Sequence, residues 1–128
     1  MIKAYLAGIS SLYEGEDIEV RYCIYEDQEL ISKESILLEY KKPAIVGEVA
    51  LLTLLKELEK FKKKEISIIV NDAALCEFIR GTSTTKNRDI LKLIKEIQKE
   101  LSKFERVYIK DISVNHKERA DWNEILSW

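Results

Sequence analysis

The chain is poor in the residues that build metal clusters, cross-links and chain breaks. Its 128 residues include one histidine, two cysteines, one methionine, one proline and four glycines. One histidine and two widely separated cysteines, Cys23 and Cys76, give no zinc-ligand spacing and no disulfide framework. Both thiols fall inside apolar patterns and read as small buried hydrophobes in a reducing compartment. The scattered glycines make no phosphate-cradling loop, and no Ser/His/Asp arrangement appears. With so little proline and glycine and 46% hydrophobic residues, the chain is neither fibrous nor disordered. No apolar run approaches the roughly 18 uncharged residues of a membrane span, because Glu48 and Lys56 interrupt the richest one. Residues 1–12 carry one lysine, a short apolar stretch and no cleavage signature, so a cytoplasmic location is the expectation.

What is present is charge, 34% of residues, and it is unevenly placed. Residues 1–40 hold three bases against nine acids, and residues 41–128 hold the other eighteen bases against fourteen acids. The formal net charge is −2 and the pI about 5.6, so polyanion binding has to come from a local patch rather than from the whole surface. The length fits a single domain over residues 1–128, able to bury roughly two thirds of its unfolded surface.

Residues 2–9 read as a strand, followed by a turn around residues 14–17. Residues 18–25 alternate Ile18, Val20, Tyr22 and Ile24 against Glu19, Arg21, Cys23 and Tyr25, the period of a half-buried strand. A polar turn at 26–29 leads into a third strand over 30–40. Pro43 sits where a helix begins, and Ile45, Val49, Leu52, Leu55 and Leu58 mark a helix over 45–61, closed by Lys62, Lys63 and Lys64. The apolar run 66–70 predicts a strand buried on both faces. A short helix follows over 73–79, ending at Gly81, then a loop at 82–85. Ile90, Ile94, Ile97, Leu101 and Phe104 stripe a further helix, residues 107–114 return as a strand, and 118–126 form a last helix. The order βββ-α-β-α-α-β-α predicts an α/β fold. An antiparallel three-strand meander runs into βαβ crossovers, giving a mixed five-stranded sheet flanked by helices.

Three acids stand where such a sheet places its sites, at strand ends and the crevice beside them. Glu48 opens the first helix, Asp72 directly follows the central apolar strand, and Asp121 lies early in the last helix. Gathered carboxylates suit magnesium, and a pair of ions clamps the attacking and leaving oxygens of a phosphodiester. Each acid also has a plainer role: Glu48 beside a helix N-terminus, Asp72 as a helix cap, Asp121 paired with Arg119 or Lys117. The loop from Arg80 through Arg88, with Thr82, Ser83, Thr85, Lys86 and Asn87, precedes a helix N-terminus. It suits a phosphate contact as well as ordinary capping. Trp122 and Trp128 are expected to pack the final helix, and the lysine runs Lys41-Lys42 and Lys62–Lys64 to be solvated ends.

This combination resembles the ribonuclease H family over nearly the whole chain. By position, Glu48, Asp72 and Asp121 match the family's helix glutamate, fourth-strand aspartate and last-helix aspartate. The family's His, short loop and Asn-Glu-x-Ala-Asp run is similar to His116-Lys117-Glu118-Arg119-Ala120-Asp121, with the loop shortened and Lys117 in the asparagine's place. The first-strand Asp-Gly falls on Ala7-Gly8, so that carboxylate is absent, with Ser10 or Glu14 as the nearest substitutes. The resemblance implies that Glu48, Asp72 and Asp121 hold Mg²⁺ or Mn²⁺ if the chain is active, and that His116, on a flexible loop beside the site, assists proton transfer or product release. It further implies cleavage of the RNA strand of an RNA–DNA hybrid, weakened or lost through Ala7. Binding of a hybrid or structured RNA by a pseudoenzyme is the corresponding non-catalytic expectation. A scaffold binding a protein partner is the alternative, favoured by the acidic meander and low pI.

Overall fold

The computed structural model describes residues 1–10, 13, 15–39 and 42–127. Five strands form one sheet: β1 (Ile2–Ile9), β2 (Ile18–Glu26), β3 (Glu29–Leu38), β4 (Glu65–Val70) and β5 (Arg106–Asp111). Their order across the sheet is β3-β2-β1-β4-β5, antiparallel through the meander and parallel from β1 to β4 to β5. Alternation in β1 and β2 sends Ile2, Ala4, Leu6, Val20, Tyr22 and Ile24 to one face. The β2–β3 hairpin turns on Asp27 and Gln28, both at positive φ (49° and 73°), so the turn matches the right-handed twist of the strands.

Helix α1 (Val46–Leu58) is entered through a 3-10 turn at Pro43–Ile45 and left through another at Glu59–Phe61. It packs with α2 (Ala73–Arg80) and α3 (Arg88–Leu101) over that same sheet face, and their Leu51, Leu54, Leu55, Leu58, Leu75 and Ile97 are all at most 2% exposed. Helix α4 (His116–Ile125) lies on the other face in a smaller cluster of Ala7, Cys23 and Leu126, with Tyr5, Tyr25, Trp122 and Ile125 packed beside them.

The element order and strand cores agree with the sequence reading; several ends move. The third strand stops at Leu38, and Tyr40 and Lys41 lie outside the described residues, as do Glu14 and Trp128. Phe104 falls past α3, in the turn before β5, and is still buried at 8%. The last strand ends at Asp111 rather than at 114. The Asp111 carboxylate accepts the Ser113 N–H (3.0 Å) and hydroxyl (2.7 Å) and turns the chain. The last helix begins at 116 rather than 118, because the Asn115 side chain accepts the Glu118 N–H at 3.0 Å and caps it.

Candidate functional site

A cleft of about 180 Å³ opens where β1 and β4, running parallel, reach their C-terminal ends beside the start of α1. Ala7, Gly8, Ser10, Gly47, Asn71, Asp72 and Trp122 line it. Two glycines set its geometry. A Cβ on Gly8 would lie 3.0 Å from Ala50 Cβ and 3.1 Å from the Val46 carbonyl oxygen, so α1 rests directly on the backbone of β1. A Cβ on Gly47 would collide with Asp72 Oδ2, which places the Asp72 carboxylate against the first turn of α1.

Asp72 is fixed by both helix and strand chemistry. Its Oδ1 accepts the Leu75 N–H at 3.0 Å as the N-cap of α2, and its own N–H donates to Asp111 Oδ1 at 3.2 Å. Glu48, one residue past Gly47, is only 4% exposed, and its Oε2 has no hydrogen-bond partner among the described residues. Burial pushes its carboxyl above the usual glutamate value, and the Asp72 charge adds to that rise. Glu48 and Asp72 are thus brought within electrostatic reach. Asp111, which the sequence reading does not single out, joins Asp72 through the parallel β4–β5 pairing. In the sequence it lies inside the strand expected over 107–114, directly after Lys110, so no apolar run marks it as one marks Asp72.

Asp121 stands apart: it is exposed on α4 and does not line the cleft, into which its neighbour Trp122 points instead. The Trp122 indole donates to the Leu6 carbonyl at 3.1 Å and anchors α4 on β1, in line with the expectation that it packs the final helix. The resemblance puts His116 on a flexible loop; it is instead the first residue of α4, exposed, with Nδ1 2.8 Å from Arg119 Nη2. Position 7 is more than a missing carboxylate. The Ala7 methyl packs with Cys23 and Leu126 under α4, directly across from Arg21, whose guanidinium donates to the Leu126 carbonyl at 3.1 Å.

In the 82–88 loop, the polar groups are largely spent on local structure. The Thr82 hydroxyl donates to the Glu77 carbonyl, and Thr85 Oγ1 accepts the Asn87 N–H. The Asn87 side chain accepts the Asp89 and Ile90 N–H groups as the N-cap of α3. Lys86 and Arg88 remain exposed at that helix start, while Ser83 is half-buried.

The side chains present do not fit a two-metal clamp. Such a site needs several converging oxygen ligands, and among the described residues no group of three His, Cys, Asp or Glu side chains gathers to hold an ion. One oxygen of Asp72 is committed to capping, Glu48 is buried, Asp121 faces solvent and position 7 carries a methyl group.

No protein-family model matches this chain, and neither does any curated protein sequence. Its fold does match solved structures. Ribonuclease H1 of the halophilic archaeon Halobacterium salinarum NRC-1 superposes with a TM-score of 0.79 at 17% identity, covering 94% of this chain and 91% of that one. The N-terminal ribonuclease H domain of Rv2228c from Mycobacterium tuberculosis gives 0.77 at 15% identity, covering 98% and 94%. LC11-RNase H1, isolated from compost by a metagenomic approach, gives 0.77 at 13% identity in its complex with an RNA/DNA hybrid, covering 98% and 94%. At these identities the likeness is one of architecture: the chain has a ribonuclease H-like fold.

Proposed function

We propose that this chain is a nucleic-acid-binding domain that holds an RNA–DNA hybrid and has little or no capacity to cut it. The fold it shares with LC11-RNase H1, a protein solved with an RNA/DNA hybrid, supports the binding half of this reading. The observation that carries the loss of cleavage is position 7. There the Ala7 methyl is packed beneath Trp122 and Leu126, where the resemblance calls for a carboxylate, and among the described residues no three acids gather to hold an ion. Exposed Lys86 and Arg88 at the start of α3 offer phosphate contacts without sequence preference.

The test is a labelled RNA–DNA hybrid incubated with the chain in Mg²⁺ and in Mn²⁺, with binding followed across a salt titration. We expect binding that weakens steeply with salt, as phosphate contacts do, and an intact RNA strand. Ala7→Asp alone is expected to stay silent, because the new carboxylate would lie across from Arg21 and pair with it. Metal-dependent cleavage by the wild type, abolished in Asp72→Asn, would overturn the loss of cleavage; asparagine keeps the α2 cap, so that loss could not be blamed on unfolding. No hybrid binding at the lowest salt would overturn the binding half and turn attention to a protein partner.

A further inference from the structure

The second face of the sheet is only half covered, and strand register arranges what lies there. Tyr25 on β2 pairs with Lys3 on β1, Lys3 with Ser67 on β4, and Ser67 with Tyr108 on β5. In the next row Lys33 on β3 pairs with Cys23, Cys23 with Tyr5, Tyr5 with Ile69, and Ile69 with Lys110. Directly paired residues point to the same face. Aromatic rings and ammonium groups therefore alternate within and between two adjacent rows. Helix α4 covers the third row, at Ala7, and closes over Cys23 in the second, with Tyr5 and Tyr25 half-buried at its edge; Lys3, Lys33, Tyr108 and Lys110 stay exposed.

A groove of about 670 Å³ runs over Lys3, Tyr5, Tyr25, Ser67, Ile69 and Lys110. The Tyr5 and Tyr25 rings meet edge to face at 5.9 Å, and Lys3 Nζ lies 5.3 Å from the Tyr5 centroid. Tyr108 is 55% exposed. The acids at the border are engaged: Glu118 with Lys110 at 2.7 Å, Glu65 with Arg106 at 3.8 Å, and Asp27 with the Met1 amino group at 3.0 Å. Such exposed pairs are weak enough to exchange partners with a phosphate.

We propose that this open half of the sheet binds a single strand of nucleic acid, with bases stacked on Tyr5 and Tyr108 and phosphates held by Lys3, Lys33 and Lys110. Tyr5 and Tyr108 stand two strands apart, about 10 Å, and stacking on rings beside cations is how sheets hold unpaired bases. A duplex hides its base faces and gains nothing from the rings. A protein partner would want a continuous apolar surface, whereas the apolar member at the centre of the groove, Ile69, is already 6% exposed. Base faces and phosphates carry no sugar identity, so RNA and DNA strands should bind alike. This site is on the opposite face from α1–α3 and does not rest on the hybrid reading.

The test uses the full chain with fluorescein-labelled oligo-rU and oligo-dT of about 12 nucleotides, spanning several of the bases a stacking platform of this kind engages. Anisotropy is followed across a salt titration. Both probes should bind; Tyr108→Ala should weaken binding at least about fivefold. Lys3→Glu and Lys33→Glu should weaken it further and flatten the salt slope by about 0.7 for each phosphate no longer neutralised. These exposed substitutions should leave thermal stability unchanged, and Tyr108→Ala should leave hybrid binding intact, which separates this face from the cleft. Failure of both probes at the lowest salt, or binding indifferent to Tyr108→Ala and Lys3→Glu, would overturn the proposal. So would a dimer in sedimentation equilibrium that Tyr108→Ala dissociates, since the face would then belong to a second copy of the chain.

Discussion

At the scale of single residues, the cleft is shaped by close approach. Alanine in place of a helical glycine ordinarily stabilises by up to about 1 kcal/mol, yet at position 47 the methyl would collide with Asp72 Oδ2. Glu48, beside it, sits in the first turn of α1, where a negative charge suits the helix N-terminus. Burial nevertheless outweighs that advantage, and its carboxyl is raised above the usual value. The fold therefore favours the protonated form. That contribution is full below the unfolded value of about 4.3 and is lost as pH rises through the higher folded value. Glu48→Gln removes the titration while keeping the shape. Its urea midpoint should exceed that of the wild type at pH 7 to 8, and the two should converge as pH falls to about 4. A constant offset across the whole range would mean that Glu48 is not held against its charge.

At the scale of elements, α4 is the piece attached by the fewest deep contacts. No residue within it is fully buried, and it is tied down by the Trp122 bond to Leu6, the Arg21 bond to Leu126 and the small cluster around Ala7. Trp122→Ala, which removes one hydrogen bond and a half-buried ring, should cost about 2 kcal/mol. Amide exchange in 116–125 should accelerate by more than tenfold while β4 and α1 stay protected. Equal acceleration throughout would show that α4 is not a separate unit. The same element shows where the sequence stops being legible. Alternation in 18–25 and the helical stripes at 45–58 and 90–101 announce their elements, because their period is a local property. The ends of β5 and α4 depend on two side-chain caps, Asp111 with Ser113 and Asn115 with Glu118, which hydrophobic period does not encode. That Ala7 lacks a carboxylate is plain in the sequence. That Trp122 closes over it is a contact between residues more than a hundred positions apart, and it follows only from the strand order and the side of the sheet on which α4 lies.

At the scale of the whole molecule, the sheet separates two cores of unequal depth, and each contains one free cysteine. Cys76 belongs to the large cluster under α1–α3, and Cys23 to the small one under α4, with its Sγ 3.6 Å from the Ile125 carbonyl. Burial pushes the Cys76 thiol up to about 11, with the Asp111 charge adding to the rise, and burial raises Cys23 as well. Only the thiolate is alkylated at a useful rate, so both should be inert in the native state and react through opening. The openings differ in size. Cys76 faces the main core from α2, which we expect to open only with global unfolding, whereas exposing Cys23 requires only that α4 lift away. Iodoacetamide labelling at increasing urea below the unfolding midpoint, resolved by peptide mass, should therefore give two slopes. Cys76 should accelerate with the full urea dependence of global unfolding, and Cys23 should react faster at low urea with a much shallower dependence. A single common slope would show that both layers open together, and the small cluster around Ala7 would then belong to the same cooperative unit as the main core.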